Sequence, residues 1–135
     1  MEHIPGEKWS PYNPGTNLTP PFPGYFSGHS VFSRSSATVL ALFTGSDDFG
    51  FSTILPAGFG RVESNIPPEP TTFSYDTFSD AANEAGLSRL YGGIHFDDDN
   101  TTAQNVGYLI GVQAWCKALT YFNQIPENAV PCPLP

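Results

Sequence analysis

The spacing of apolar residues along the chain predicts three helices. Apolar side chains recur at three- and four-residue intervals over residues 27–43, 75–85 and 101–122, the pattern of a helix that buries one face. Gly45 follows the first pattern directly, and a glycine just past a helical pattern is a natural stop. The pattern therefore favours a helical chain.

The second and third predicted helices carry further signals. Ser74 is predicted to cap the second helix and Gly86 to close it. The third helix carries a stripe of small side chains, which permits another helix to approach closely. The stripe consists of Ala103, Gly107, Gly111, Ala114 and Ala118.

The segment between the first two helices reads as a loop. Residues 45–73 hold four glycines and four prolines, a density that is typical of irregular backbone. Within this segment we expect no more regular structure than a short strand pair, at residues 52–55 and 61–64.

These elements predict the domain organisation. Residues 1–26 are dense in proline, which excludes a regular helix and favours an extended arm. Residues 27–125 form the predicted helical domain, and residues 126–135 a tail. The predicted fold class is all-α: a partial helical bundle with about three main helices and long Pro/Gly-rich loops.

Composition and charge limit the classes of partner that the chain can bind. The chain has 135 residues, enough for one domain, and a formal net charge of −8 with only five Lys and Arg. This charge disfavours nucleic acid and anionic membrane as partners. The most apolar stretch, "VGYLIGVQAW", is about half the length of a membrane span. The start lacks the features of a signal peptide, so we expect a soluble chain and leave its compartment open.

The two cysteines indicate little about the function of the chain. Cys116 lies in the third predicted helix and Cys132 in the tail. They could pair with each other, but two cysteines make neither a disulfide framework nor a zinc site.

The first candidate for chemistry is Ser27-Gly28-His29, at the start of the first helix. The unpaired N–H groups and the dipole of a helix start attract anions. Gly28 lets the backbone approach a ligand, Ser27 adds a hydroxyl and His29 can exchange a proton near neutral pH. The alternative is structural, with Ser27 as a helix cap and His29 partly exposed.

The second candidate is the stretch "SRLYGGIHFDDD". Arg89 suits bidentate binding of an oxyanion. Asp99 stands four residues after His95 and can fix its tautomer if the third helix begins early. The alternative is a surface loop whose aspartates 97–99 only cap the third helix.

Together the two clusters resemble one family pattern. Ser-Gly-His followed by Ser-Arg-x5-His-x3-Asp is similar to the motif of the superfamily that contains vanadium-dependent haloperoxidases and type 2 phosphatidic acid phosphatases. The wider stretches "TPPFPGYFSGHS" and "AGLSRLYGGIHF" resemble the soluble, bacterial-type haloperoxidase branch. The resemblance extends over about residues 9–122 and implies a helical fold of the haloperoxidase/acid phosphatase type.

The resemblance implies an oxyanion site. His95 matches the histidine that ligates vanadium in the peroxidases or attacks phosphorus in the phosphatases. Arg89 matches an arginine that neutralises the oxyanion, and Ser27 and Gly28 match hydroxyl and backbone N–H donors. The implied cofactor is vanadate, and phosphate can occupy the same site.

The same resemblance implies the reactants and the proton chemistry. His29 matches the acid–base histidine, and Asp99 the carboxylate that stands behind the ligating histidine. The expected function is oxidation of halide by hydrogen peroxide at a histidine-bound vanadate. One alternative is an acid phosphatase that acts on a phosphoester through a histidine nucleophile. Another is a truncated, non-catalytic remnant.

The chain also departs from the family pattern. Phe26 stands where a proline usually precedes Ser-Gly-His, and Gly24 stands where an acidic residue is expected. An upstream Lys-x6-Arg-Pro motif, which supplies two more cations in the family, is missing: Lys8 is the only lysine before His29, and Gly15 stands seven residues after it. We therefore expect the C-terminal half of a larger fold, completed by a missing N-terminal half or by homo-oligomerisation. The small-residue stripe on the third helix would then expose apolar surface that needs a partner.

Overall fold

A computed structural model of the chain describes residues 4–12, 19 and 21–122. A single 3-10 turn, Gly6–Lys8, precedes the first long element, α1 (Gly28–Thr44). The Ser27 side chain accepts a hydrogen bond from the Ser30 amide at the start of α1. Gly45 ends α1 in the left-handed conformation, with φ 78°. Both ends of the first predicted helix are therefore confirmed to within one residue.

Two strands follow, so the expectation of an all-α chain is wrong in this segment. β1 (Asp48–Leu55) pairs antiparallel with β2 (Thr71–Thr77), and Thr53 stands opposite Phe73. The expected first strand is confirmed and is longer than predicted. The expected second strand at residues 61–64 is wrong, because those residues lie in the turns between the strands.

The second helix, α2 (Phe78–Tyr91), begins and ends later than predicted. Its cap is Thr77 rather than Ser74: Thr77 and Asp80 exchange hydrogen bonds in a capping box. Gly86 does not end the helix, because it lies buried within it at a point of close contact with α3. The late end of α2 places Arg89 in its last turn instead of in a loop.

The third helix, α3 (Asp97–Phe122), begins four residues earlier than predicted and packs along α1. A Cβ atom at Gly107 would stand 2.6 Å from the Val31 carbonyl oxygen, and one at Gly111 would stand 2.7 Å from the Ser35 carbonyl oxygen. The predicted small-residue stripe thus does bring a second helix close. That helix is α1, so the expectation that the stripe lies exposed is wrong for Ala103, Gly107 and Gly111, which are buried.

The helices share a small core, with α1 in contact with both α2 and α3. Among the described residues, the buried apolar side chains are Val31, Ala37, Ala82, Ala103 and Val112. Over this part of the chain no helix has the length and apolar character needed to cross a membrane. Cys132 and the predicted tail lie outside the described residues.

Candidate functional site

The N-terminus of α1 forms one wall of the candidate site. Ser27 caps the helix, and its backbone N–H donates to the carbonyl oxygen of Asp99 at 3.1 Å. This bond ties the tip of α1 to the start of α3. The first helical residues, Gly28 and His29, therefore stand beside the α2–α3 connection.

The α2–α3 connection brings Arg89 and His95 together. Arg89 ends α2, and the Ile94 amide donates back to the Arg89 carbonyl oxygen at 3.1 Å. Gly93 makes this reversal possible with φ +70°, and a Cβ atom at this position would stand 3.2 Å from the Trp9 ring of the N-terminal arm. His95, at the end of the connection, consequently lies beside the guanidinium-bearing end of α2.

Asp99 orients His95. Its Oδ2 atom lies 3.2 Å from His95 Nδ1 and accepts a hydrogen bond from the Phe96 amide at 3.0 Å. A carboxylate only accepts hydrogen bonds, so Nδ1 carries the proton in this pair. In the neutral ring, His95 Nε2 is then the unprotonated nitrogen, the form that binds a metal or acts as a nucleophile.

A cavity of about 80 Å³ joins these groups. It lies where the N-terminal arm, the tip of α1 and the α2–α3 connection meet. Its lining residues are Thr19, Phe22, Gly24, Gly28, His29, Arg89, Ile94 and His95.

Arg89 is the cation of this cavity. It is half-buried, and its Nε atom is buried without a hydrogen-bond partner in the part of the chain that the structure describes. Burial lowers the pKa of Arg89, but a guanidinium stays charged at neutral pH. The site thus holds a positive charge with an unused donor.

His29 responds to that charge. Partial desolvation of the ring lowers the pKa of His29, and the positive charges of Arg89 and His95 lower it further. At neutral pH its imidazole is therefore mostly unprotonated and can accept a proton.

Comparison with known proteins identifies the domain family of the chain. A profile described as the VCPO second helical-bundle domain matches residues 1–124. The chain belongs to this VCPO domain family. The curated proteins give no match.

Solved structures similar to this VCPO-family domain include two of bacterial vanadium-dependent chloroperoxidase. The holo-type structure is 25% identical, with a TM-score of 0.71 over 81% of this chain. The apo-type structure is 24% identical, with a TM-score of 0.75 over 85% of this chain. The chain spans only 23% and 24% of those two chains.

Not every predicted residue of the VCPO-family domain reaches the cavity. Gly28, His29, Arg89 and His95 line it, and Asp99 stands behind His95. The Ser27 side chain is fully buried and lies against Ser30, so the structure does not bring it into the cavity. Its role as an oxyanion donor stays a prediction.

Four lining residues were not predicted as site residues from the sequence: Thr19, Phe22, Gly24 and Ile94. Phe22 lies in the Pro-rich arm and is mostly exposed, so burial of an aromatic side chain gave no signal for it in the sequence. Ile94 directly precedes His95 and faces the same cavity. In the described part of this domain, no group of three or more His, Cys, Asp or Glu side chains is arranged to hold a bare metal ion.

Proposed function

We propose that this chain forms the vanadate-binding part of a vanadium-dependent haloperoxidase, which oxidises halide with hydrogen peroxide. The observation that carries the proposal is one cavity that holds both Arg89, with its unpartnered Nε, and His95, oriented by Asp99. The similarity to chloroperoxidase structures supports the same conclusion.

The residues present fit a tetrahedral oxyanion. A guanidinium with an unused buried donor matches a negatively charged oxygen. The N-terminus of α1, at Gly28, adds backbone N–H groups and a favourable dipole. A single imidazole suits vanadate, whose own oxygens complete its coordination, better than it suits a bare cation.

Each residue then has a distinct role. His95 Nε2 would ligate the vanadium, and Asp99 would keep that nitrogen unprotonated by holding the proton on Nδ1. Arg89 would neutralise negative charge on the oxygens, and the Gly28 amide would donate a hydrogen bond to them. When bound, vanadate supplies a Lewis acid that activates peroxide toward halide.

His29 would move the proton. Its lowered pKa leaves the ring unprotonated near neutral pH, so it can accept a proton from hydrogen peroxide at the cavity. The oxyanion carries more charge than Arg89 alone can balance. We expect further cations from outside the described residues, supplied by an upstream part of the fold or by a second copy of the chain.

An acid phosphatase is the second candidate, because an unprotonated His95 Nε2 is also suited to attack phosphorus. The two functions respond in opposite ways to vanadate. Orthovanadate should switch on peroxide-dependent bromination of phenol red in a haloperoxidase, and it should inhibit hydrolysis of p-nitrophenyl phosphate in a phosphatase.

The deciding measurement is a titration of the chain with orthovanadate, followed by vanadium NMR. We expect His95→Ala to abolish binding and Arg89→Ala to weaken it by about 10- to 100-fold, because a charge-assisted contact is lost. Arg61→Ala is the matched control, since it removes the same charge from the exposed loop between β1 and β2. Unchanged affinity in His95→Ala would contradict the proposal, and binding without any turnover would favour the non-catalytic remnant.

A further inference from the structure

All three helices meet in one buried polar junction next to the cavity. Ser30 of α1 is fully buried, and Asn100 of α3 is 8% exposed. Gly86 of α2 faces both of them. None of these residues lines the cavity, and none has a role in the chemistry proposed above.

The junction joins the tip of α1 to the start of α3 twice. The Ser30 hydroxyl donates to Asn100 Oδ1 at 2.7 Å and lies 2.8 Å from Ser27 Oγ. Three residues before Ser30 and one residue before Asn100, the Ser27 amide donates to the Asp99 carbonyl oxygen at 3.1 Å. The two bonds fix both the separation and the rotation of these helix ends.

The same junction determines how closely α2 packs against α1 and α3. A Cβ atom at Gly86 would overlap Asn100 Oδ1 and would stand 3.0 Å from Ser30 Oγ. Only glycine lets α2 approach this closely without displacing the pair. Arg89 follows three residues later on the same helix, so its entry into the cavity depends on that approach.

We infer that Ser30 and Asn100 are positioning residues, which hold the tip of α1 opposite His95 and Arg89 in the oxyanion geometry. The expected effect on vanadate binding rests on the proposed function. The positioning of the tip of α1 rests on the observed contacts alone. A buried polar pair that loses one member leaves the other unsatisfied, so the junction has one strongly preferred arrangement.

The test follows hydrogen exchange of the Ser27 amide by NMR in the full chain, relative to amides in the middle of α3. In Asn100→Ala and in Ser30→Ala we expect exchange at Ser27 to become about tenfold faster or more, while the reference amides change less. Asn100→Asp keeps an acceptor oxygen at the same place, in the first turn of α3 where a negative charge is favourable, and should restore protection.

Gln104→Ala is the matched control. It removes another polar contact between α3 and α2, at 3.3 Å to the Ala82 carbonyl oxygen, without touching the tip of α1. A general loss of stability would accelerate all the amides in every variant. A local role predicts acceleration at Ser27 in Asn100→Ala and Ser30→Ala only.

Binding of orthovanadate separates this inference from the proposed function. We expect about tenfold weaker binding in both alanine variants of the junction, and unchanged binding in Gln104→Ala. Protection of Ser27 that is unchanged in both alanine variants would overturn the inference, whether or not vanadate binds. If Asn100→Ala fails to fold, Ser30→Ala decides. A wild-type chain that binds no vanadate contradicts the proposed function, and the exchange data still decide the positioning role.

Discussion

His29 is the residue whose protonation responds most directly to the geometry of the site. It lies at the N-terminus of α1, where partial burial and the positive charges of Arg89 and His95 lower its pKa. In the unfolded chain its pKa returns to about 6.5. Between the folded and the unfolded pKa of His29, the unfolded state binds more protons than the folded state. The free energy of unfolding therefore rises with pH across this range, and it decreases as the pH falls through it.

Removal of the Arg89 charge should raise the pKa of His29. We expect an NMR titration of Arg89→Gln to show this pKa shifted upward toward 6.5, without reaching it, because burial remains. Arg89→Lys retains the charge and serves as the control, with a smaller shift. A His29 pKa that does not move in Arg89→Gln would show that the two side chains do not face each other.

The sequence predicts a contact between two side chains correctly where their spacing along a helix determines it. The four-residue spacing of His95 and Asp99 placed the carboxylate within reach of the ring once α3 began early, and the observed distance of 3.2 Å agrees. The orphaned Nε of Arg89 was not predictable, because it depends on α2 continuing past Gly86. The burial of the Ser27 side chain likewise depends on Ser30 and on α3, which lie beyond local sequence.

At the scale of elements, the start of α2 is decided by a capping box. Thr77 accepts from the Asp80 amide at 2.9 Å, and the Thr77 amide donates to Asp80 Oδ2 at 3.1 Å. Ser74, the predicted cap, is an exposed residue of β2 instead. Two reciprocal bonds outweigh the single bond that a serine cap can offer, because they satisfy two amides at once.

The two candidate caps should differ in their effect on stability. We expect Thr77→Ala to lower the free energy of unfolding by about 1 kcal/mol. Ser74→Ala, on the exposed side of the strand, should change it by no more than about 0.5 kcal/mol. Urea denaturation followed by circular dichroism measures both, and the reverse order of the two effects would place the helix start at Ser74.

The helices and strands show which sequence patterns predict secondary structure correctly. The three helical patterns and the stop at Gly45 were sound, because periodicity and a left-handed glycine are local properties. β2 was missed because its aromatic residues, Phe73 and Tyr75, pair with β1 across a connection of fifteen residues. The small-residue stripe predicted close packing correctly, but the sequence could not show that α1 is the helix that covers it.

At the scale of the whole molecule, many large apolar side chains are exposed among residues 4–12, 19 and 21–122. The described core is built largely from alanine and valine, whereas large apolar side chains on α1 and α3 are exposed. These exposed side chains include Phe32, Leu40, Phe43, Leu109, Ile110, Tyr121 and Phe122. Apolar surface of this extent is typical of a contact with other protein.

Removal of part of this surface should reduce association without unfolding the chain. Leu109 and Ile110 are 38% and 45% exposed on α3. We expect the double variant Leu109→Ser/Ile110→Ser to bind less of a hydrophobic dye and to sediment as a smaller species, with its helical signal retained. Val112→Ser, two residues further on and fully buried, is the contrasting control and should lose helical signal. Unchanged dye binding in the double variant would mean that this face is not the uncovered one.

The C-terminus of α1 leads away from the cavity, but the turn between β1 and β2 returns to the N-terminal arm that borders it. α1 leaves the cavity and runs about 25 Å before the strands begin, and α2 runs about 17 Å from Phe78 to Arg89. In the turn between β1 and β2, Glu63 accepts a hydrogen bond from the Tyr12 hydroxyl, and a Cβ atom at Gly93 of the α2–α3 connection would stand 3.5 Å from the Tyr12 amide nitrogen. A reporter peptide or an affinity tag inserted near Gly58, whose amide donates to the Pro67 carbonyl oxygen at 2.9 Å, would therefore disturb the arm that packs beside His95.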